Sequence, residues 1–206
     1  ADPQLGHYAL SRFYSAHQAC RCVEADGTAI WALSIAYPEV RAQLNAILSE
    51  ALERGADGVT LVLTRGFPLV RYEEPVLARF RAVYGGDARA LPDSDPRLRA
   101  VWAECVTAWL REVRQLLDAA GPSPLAPRRA LTVMTGPSRA WNGRWGFDVA
   151  AWAREGLVDA VLPFPKEVER QNAIRIDEFV EDLRGTGVAL YPCIGSNMDR
   201  FVSFAT

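Results

Sequence analysis

Residues 38–64, PEVRAQLNAILSEALERGADGVTLVLT, hold the signal that decides the fold. Val40, Leu44, Ile47, Leu48, Ala51 and Leu52 recur at helical spacing and give one apolar face. Pro38 suits a first helical position, and Gly55 suits the left-handed residue that ends a helix. The run Val59-Thr60-Leu61-Val62-Leu63 follows at once, apolar and β-branched, bounded by Asp57-Gly58 and Gly66. Such a run reads as a strand covered on both faces. Helix then buried strand is one half of a β/α repeat.

The same alternation continues along the chain. A second helix begins at Pro75, buries Val76, Leu77, Phe80 and Val83, and stops at Gly85-Gly86. A loop to Asp95 precedes a longer helix carrying Leu98, Val101, Trp102, Cys105, Trp109, Val113, Leu116 and Leu117, with Asp95 as N-cap and Gly121 as stop. Ala130–Thr135 reads as a strand and Gly136–Gly146 as a loop. Asp148 then caps a short helix that ends at Gly156, and Val158–Leu162 is a strand. A helix over Asp177–Leu183 and a strand over Val188–Cys193 complete the pattern, with Ala29–Ile35 a candidate for one more strand. Alternating strands and amphipathic helices predict an α/β fold with a mostly parallel sheet. No repeat, low-complexity tract or composition shift divides residues 1–206, so a single β/α domain is expected. Four or five strands are too few for a closed eight-stranded barrel of about 250 residues. The alternatives are an incomplete (β/α)-barrel of the TIM type and an open doubly wound parallel sheet.

Bulk composition narrows the function classes. Half the residues are hydrophobic and the net charge is −2, which gives no electrostatic case for nucleic acid or an anionic membrane. No stretch is apolar and long enough to span a bilayer, so a soluble protein is expected, with secretion or a periplasmic location left open. Cys20-x-Cys22 lacks the two-residue spacer of zinc and thioredoxin motifs, and with Cys105 and Cys193 is read as free or packing thiols. No metal and no cofactor is expected. Serine-hydrolase elbows, phosphate-binding P-loops, dinucleotide fingerprints and H-E-x-x-H are all absent.

A set of short motifs in fixed order is more specific. Tyr37-Pro38-Glu39-Val40-Arg41, Asp57-Gly58-Val59, Thr64-Arg65-Gly66 and Arg71-Tyr72-Glu73-Glu74-Pro75 are preceded by Ser11-Arg12-Phe13, Arg21-Cys22 and Asp26-Gly27. They are followed by Phe147-Asp148-Val149-Ala150-Ala151-Trp152 and Glu155-Gly156-Leu157-Val158-Asp159. From about Ser11 to about Ser196 the chain resembles the family-10-like glycoside hydrolases, a bacterial group assigned to the (β/α)₈ barrel. That resemblance implies the middle of a barrel without its opening and closing strands, and hydrolysis of a glycosidic bond. Related barrels often carry an Asp in the strand that here reads Leu61-Val62-Leu63.

In a barrel the site lies at the C-terminal ends of the strands, which selects residues 64–74, 136–147, 163–177 and those after Tyr191. A glycosidase needs two carboxyl groups, one protonated and one ionised, roughly 5–10 Å apart. The candidates are Glu73 and Glu74, with Glu167 and Glu169 further along. At a helix start the first two also serve simply to complement the helix dipole. Arg65 and Tyr72 are candidate substrate contacts, with a salt bridge to a neighbouring glutamate and plain packing as their structural alternatives. Arg139, Trp141, Asn142 and Trp145 form a candidate sugar platform, indole faces stacking on the ring and polar groups binding hydroxyls. The expected partner is a carbohydrate. A catalytically silent glycan-binding barrel, or a unit acting only within a larger assembly, are the rival readings. Lys166, the only lysine, is expected to be exposed, and His7 and His17 to be surface or packing residues.

Overall fold

The computed structural model describes residues 11–65, 68–165 and 174–193. His7, Gly66, Lys166, Glu167, Glu169 and Ser196 lie outside the described residues. The chain is α/β. Helix α1 (Arg12–Ala16) leads into the hairpin β1 (Arg21–Val23) and β2 (Ala29–Leu33), followed by α2 (Pro38–Glu53) and β3 (Gly58–Val62). Then come α3 (Glu74–Tyr84), α4 (Pro96–Ala119), β4 (Ala130–Thr135), α5 (Arg139–Arg144), α6 (Val149–Arg154), β5 (Ala160–Pro163), α7 (Ile176–Leu183) and β6 (Ala189–Leu190).

Strands β3, β4, β5 and β6 form one parallel sheet, neighbours in space in the order they occur in the chain. Among the described residues this sheet is open, with β3 and β6 as its edges, and no closed barrel is formed. Backbone bonds carry the pairing past the named ends: Leu63 donates to Met134, Phe164 to Thr135, and Tyr191 and Cys193 to Val161 and Pro163.

The sheet has two unlike faces. Leu61, Val133 and Val161 stand side by side, almost fully buried, and pack with the helices. Helix α4 supplies the largest share of that cover, burying Leu98, Val101, Trp102, Val106, Trp109, Leu110, Val113 and Leu117 along one side. At the opposite face Val62 is 43% exposed and Tyr191 62% exposed.

Most boundaries agree with the sequence pattern because the caps are explicit. The Asp95 carboxylate accepts from the Arg97 amide and the Asp148 carboxylate from that of Ala151. Gly85, Gly121 and Gly156 take positive φ just past helices. Some expectations need correction. Residues 139–144 are helical, started by the Ser138 hydroxyl accepting from the Trp141 amide. Ile47 lies on the solvent side of α2, 54% exposed, and Val83, expected on the buried face, lies on the solvent side of α3, 52% exposed. The strand expected from Val158 starts at Ala160, and the hairpin strand Arg21–Val23 carries no alternation long enough to be recognised. All four cysteines are free thiols.

Candidate functional site

At the C-terminal end of β3 the chain presents Thr64, buried, and Arg65, exposed. Among the described residues Arg65 forms no ion pair with Glu73, Glu74 or any other carboxylate. At the same end of β6, three strands across the sheet with β4 and β5 between, Tyr191 is open to solvent. The hairpin β1–β2 is tied to the segment after β3 by backbone bonds from Ile35 to Leu69 and from Tyr72 to Val23. It carries a second partly open aromatic side chain, Trp31, 41% exposed.

The two glutamates part company. Glu74, in the first turn of α3, is exposed and pairs with Arg81 at 2.5 Å. Its position near the helix N-terminus favours negative charge, and it reaches no other described candidate. Glu73 is 1% exposed. Its carboxylate turns back to accept the Arg71 amide at 2.7 and 3.0 Å. Burial pushes its carboxyl up from the usual carboxylate range; hydrogen bonds from Ser34, the local backbone and Cys22 pull the other way without cancelling that rise. Around it, burial and the nearby Glu73 charge hold the Cys22 thiol far above its ordinary value, and Cys105 is pushed up to about 11, chiefly by burial. Glu73 therefore joins the hairpin, through Cys22 and Ser34, to the loop entering α3.

Tyr72 packs instead of lining a surface. It is 2% exposed, meets Trp102 edge-on with ring centres 5.7 Å apart, and donates its hydroxyl to Asp93 at 2.5 Å. Arg71 bridges Glu24 and Asp93, each at 2.7 Å, and lies 5.0 Å from the Trp102 ring centre, while Trp102 donates its indole N–H to the Arg71 carbonyl. Every polar group in this cluster has a partner within the chain.

The expected sugar platform is largely interior. Trp141 is 6% exposed, packed against Trp145 and Phe147 with the rings tilted by 53° and 51°, and lies so close to Gly136 that a Cβ there would overlap its ring. Asn142 is 2% exposed and its side-chain oxygen accepts the Gly136 amide at 2.8 Å, fixing the exit of β4. Arg139 pairs with Glu181 and Asp182 on α7. Trp145 is half-buried. The open indole face that stacking requires is not offered by Trp141. A cleft of about 370 Å³ borders this region, lined by Arg99, Ala100, Arg139, Phe147 and Asp182. It lies among the helices.

Of the predicted site residues, then, Arg65 stands open at a strand end. Glu73 is central but internal, Tyr72, Trp141, Asn142 and Arg139 are structural, and Glu74 stands apart. Sequence reading passed over Ser34, Cys22 and Asp93 because each acts through a partner distant in the chain. It also passed over Trp31, whose only signal is an aromatic residue within a short strand. Among the described residues no group of three or more His, Cys, Asp or Glu is placed to hold a metal ion, and no helix is long and apolar enough to cross a membrane. No family model matches the chain, and no curated protein matches it.

Proposed function

We propose that β3–β6 are consecutive staves of a (β/α) barrel and that the chain binds carbohydrate at their C-terminal ends. The sequential parallel order with helical crossovers supports the barrel reading. The observation that carries the binding reading is that Arg65 and Tyr191 are each exposed at the same end of the two outermost described strands. An exposed tyrosine offers a flat apolar face and a hydroxyl, and an arginine with no described ion pair offers a fork of donors. Sugars present the matching C–H faces and hydroxyls.

Cleavage is the second reading, favoured by one observation: the raised pKa of Glu73, which a general acid requires. Its 1% exposure opposes direct contact with a substrate. Binding without turnover is accordingly the reading the geometry supports best.

A panel of oligosaccharides, neutral and acidic, tests both readings by calorimetric titration and by product analysis. Tyr191→Ala and Arg65→Ala are each expected to weaken binding about tenfold, as truncating an aromatic or arginine anchor does. Binding that neither variant alters would refute the site. Hydrolysis by the wild-type chain that Glu73→Gln abolishes would establish the second reading.

A further inference from the structure

The four-stranded sheet buries one face against helices and leaves the other partly open. Two rows of side chains cross that open face. The pairing places Thr60, Thr132, Ala160 and Ala189 in one row and Val62, Met134 and Leu162 in the next, with Tyr191 continuing it. Thr60 is exposed, Val62 is 43% exposed and Tyr191 is 62% exposed, while Thr132, Met134, Leu162 and Ala189 are half-buried. No charged residue stands in either row. All-parallel sheets occur almost only with both faces covered, and an apolar, uncharged sheet face open to water is a docking surface. The outer edges are open as well. Among the described residues neither β3 nor β6 has a second neighbour, so each offers a line of unpaired backbone groups.

We propose that a second copy of the chain covers this face, two four-stranded sheets closing into one eight-stranded parallel barrel. The inference rests on the barrel reading above. Closure follows from symmetry and strand count. A two-fold axis parallel to the strands preserves their direction, so every strand of both copies remains parallel. The same rotation sets β6 of each copy beside β3 of its partner and pairs both open edges at once, as an isologous interface requires. Four strands are half of the eight whose interior side chains alone can fill. The facing rows then meet as small Thr and Ala side chains in one layer and Val, Met and Leu in the next, with Tyr191, just past the end of β6, left at the mouth. With no charge on the face, self-association brings no like charges together.

The test is the mass of the chain in solution, by light scattering behind gel filtration, from micromolar concentration upward. The expected result is twice the 22.7 kDa chain mass. Val62→Asp should weaken the dimer about a hundredfold by burying an unpaired carboxylate at its centre. Val83→Asp, on the outer side of α3 and 52% exposed, should leave the dimer intact. Circular dichroism checks that the variants fold. Should Val62→Asp lose structure, Thr60→Asp, at an exposed position of the same face, decides in its place. A wild-type monomer throughout this range would overturn the proposal and assign the cover of this face to other β/α segments. So would a dimer that survives the Thr60 and Val62 substitutions, or one lost equally in Val83→Asp. A monomer that still binds the oligosaccharide panel would separate the two ideas, refuting the dimer and leaving the carbohydrate site in place.

Discussion

Replacing Glu73 by Gln and by Ala separates its charge from its shape. The carboxylate is 1% exposed and accepts the Arg71 amide at 2.7 and 3.0 Å. Alanine leaves that buried backbone donor without a partner, which costs about 1–3 kcal/mol. The vacated side-chain volume adds about 1 kcal/mol, so Glu73→Ala should lose about 2–4 kcal/mol in urea unfolding. Glutamine keeps the volume and one acceptor oxygen, and should stay within about 1.5 kcal/mol of the wild type in acid. The pH dependence carries the sharper sign. Burial raises the folded-state pKa of Glu73 above its unfolded value, so the folded chain holds this proton more tightly. Its contribution to stability is then fully present below the unfolded pKa and is lost as pH rises through the folded one. Glutamine cannot ionise, so Glu73→Gln should gain on the wild type as pH rises across that window. Unfolding curves at pH steps from 4 to 8 measure the difference. A wild type that gains on Glu73→Gln over the same range would refute the assignment of burial as the dominant influence. Equal losses for Ala and Gln would refute the hydrogen-bond account.

Two other substitutions probe the packing around the strand ends. Gly136→Ala would drive its Cβ into the Trp141 ring and is expected to cost at least about 2 kcal/mol, read as a lowered urea midpoint with unchanged slope. Tyr72→Phe removes the hydroxyl donated to Asp93 at 2.5 Å and should cost about 1–2 kcal/mol. Burial pushes the Asp93 carboxyl up, but the Tyr72 hydroxyl and Arg71 guanidinium outweigh it and hold the group low. Loss of the hydroxyl should therefore raise that pKa and move acid unfolding to higher pH, which an acid titration followed by circular dichroism will show.

The parts of the fold that were legible in the sequence are those encoded locally. Pro38, Pro75 and Pro96 sit at helix starts, Asp95 and Asp148 cap, and Gly85, Gly121 and Gly156 close, so the helices announce themselves within a few residues. The site was harder to read, and the reason lies in what decides burial. Trp141 and Asn142 look like a polar aromatic loop when read in order. Their burial is set by Gly136, five and six residues earlier, whose missing side chain admits the indole and whose amide binds the Asn142 oxygen. Tyr72 looks like a surface phenol until Asp93, which lies 21 residues on, takes its hydroxyl. Glu73 and Glu74 are adjacent in sequence at a helix start, yet one is buried against the hairpin residues Cys22 and Ser34 and the other pairs with Arg81 in solvent. Residue type and spacing can mark a strand end, but they do not say which side chains there find internal partners. Arg65 and Tyr191 are conspicuous for the opposite reason. Among the described residues neither side chain is taken up by another, and at the end of a parallel sheet such groups are the ones left to meet a ligand.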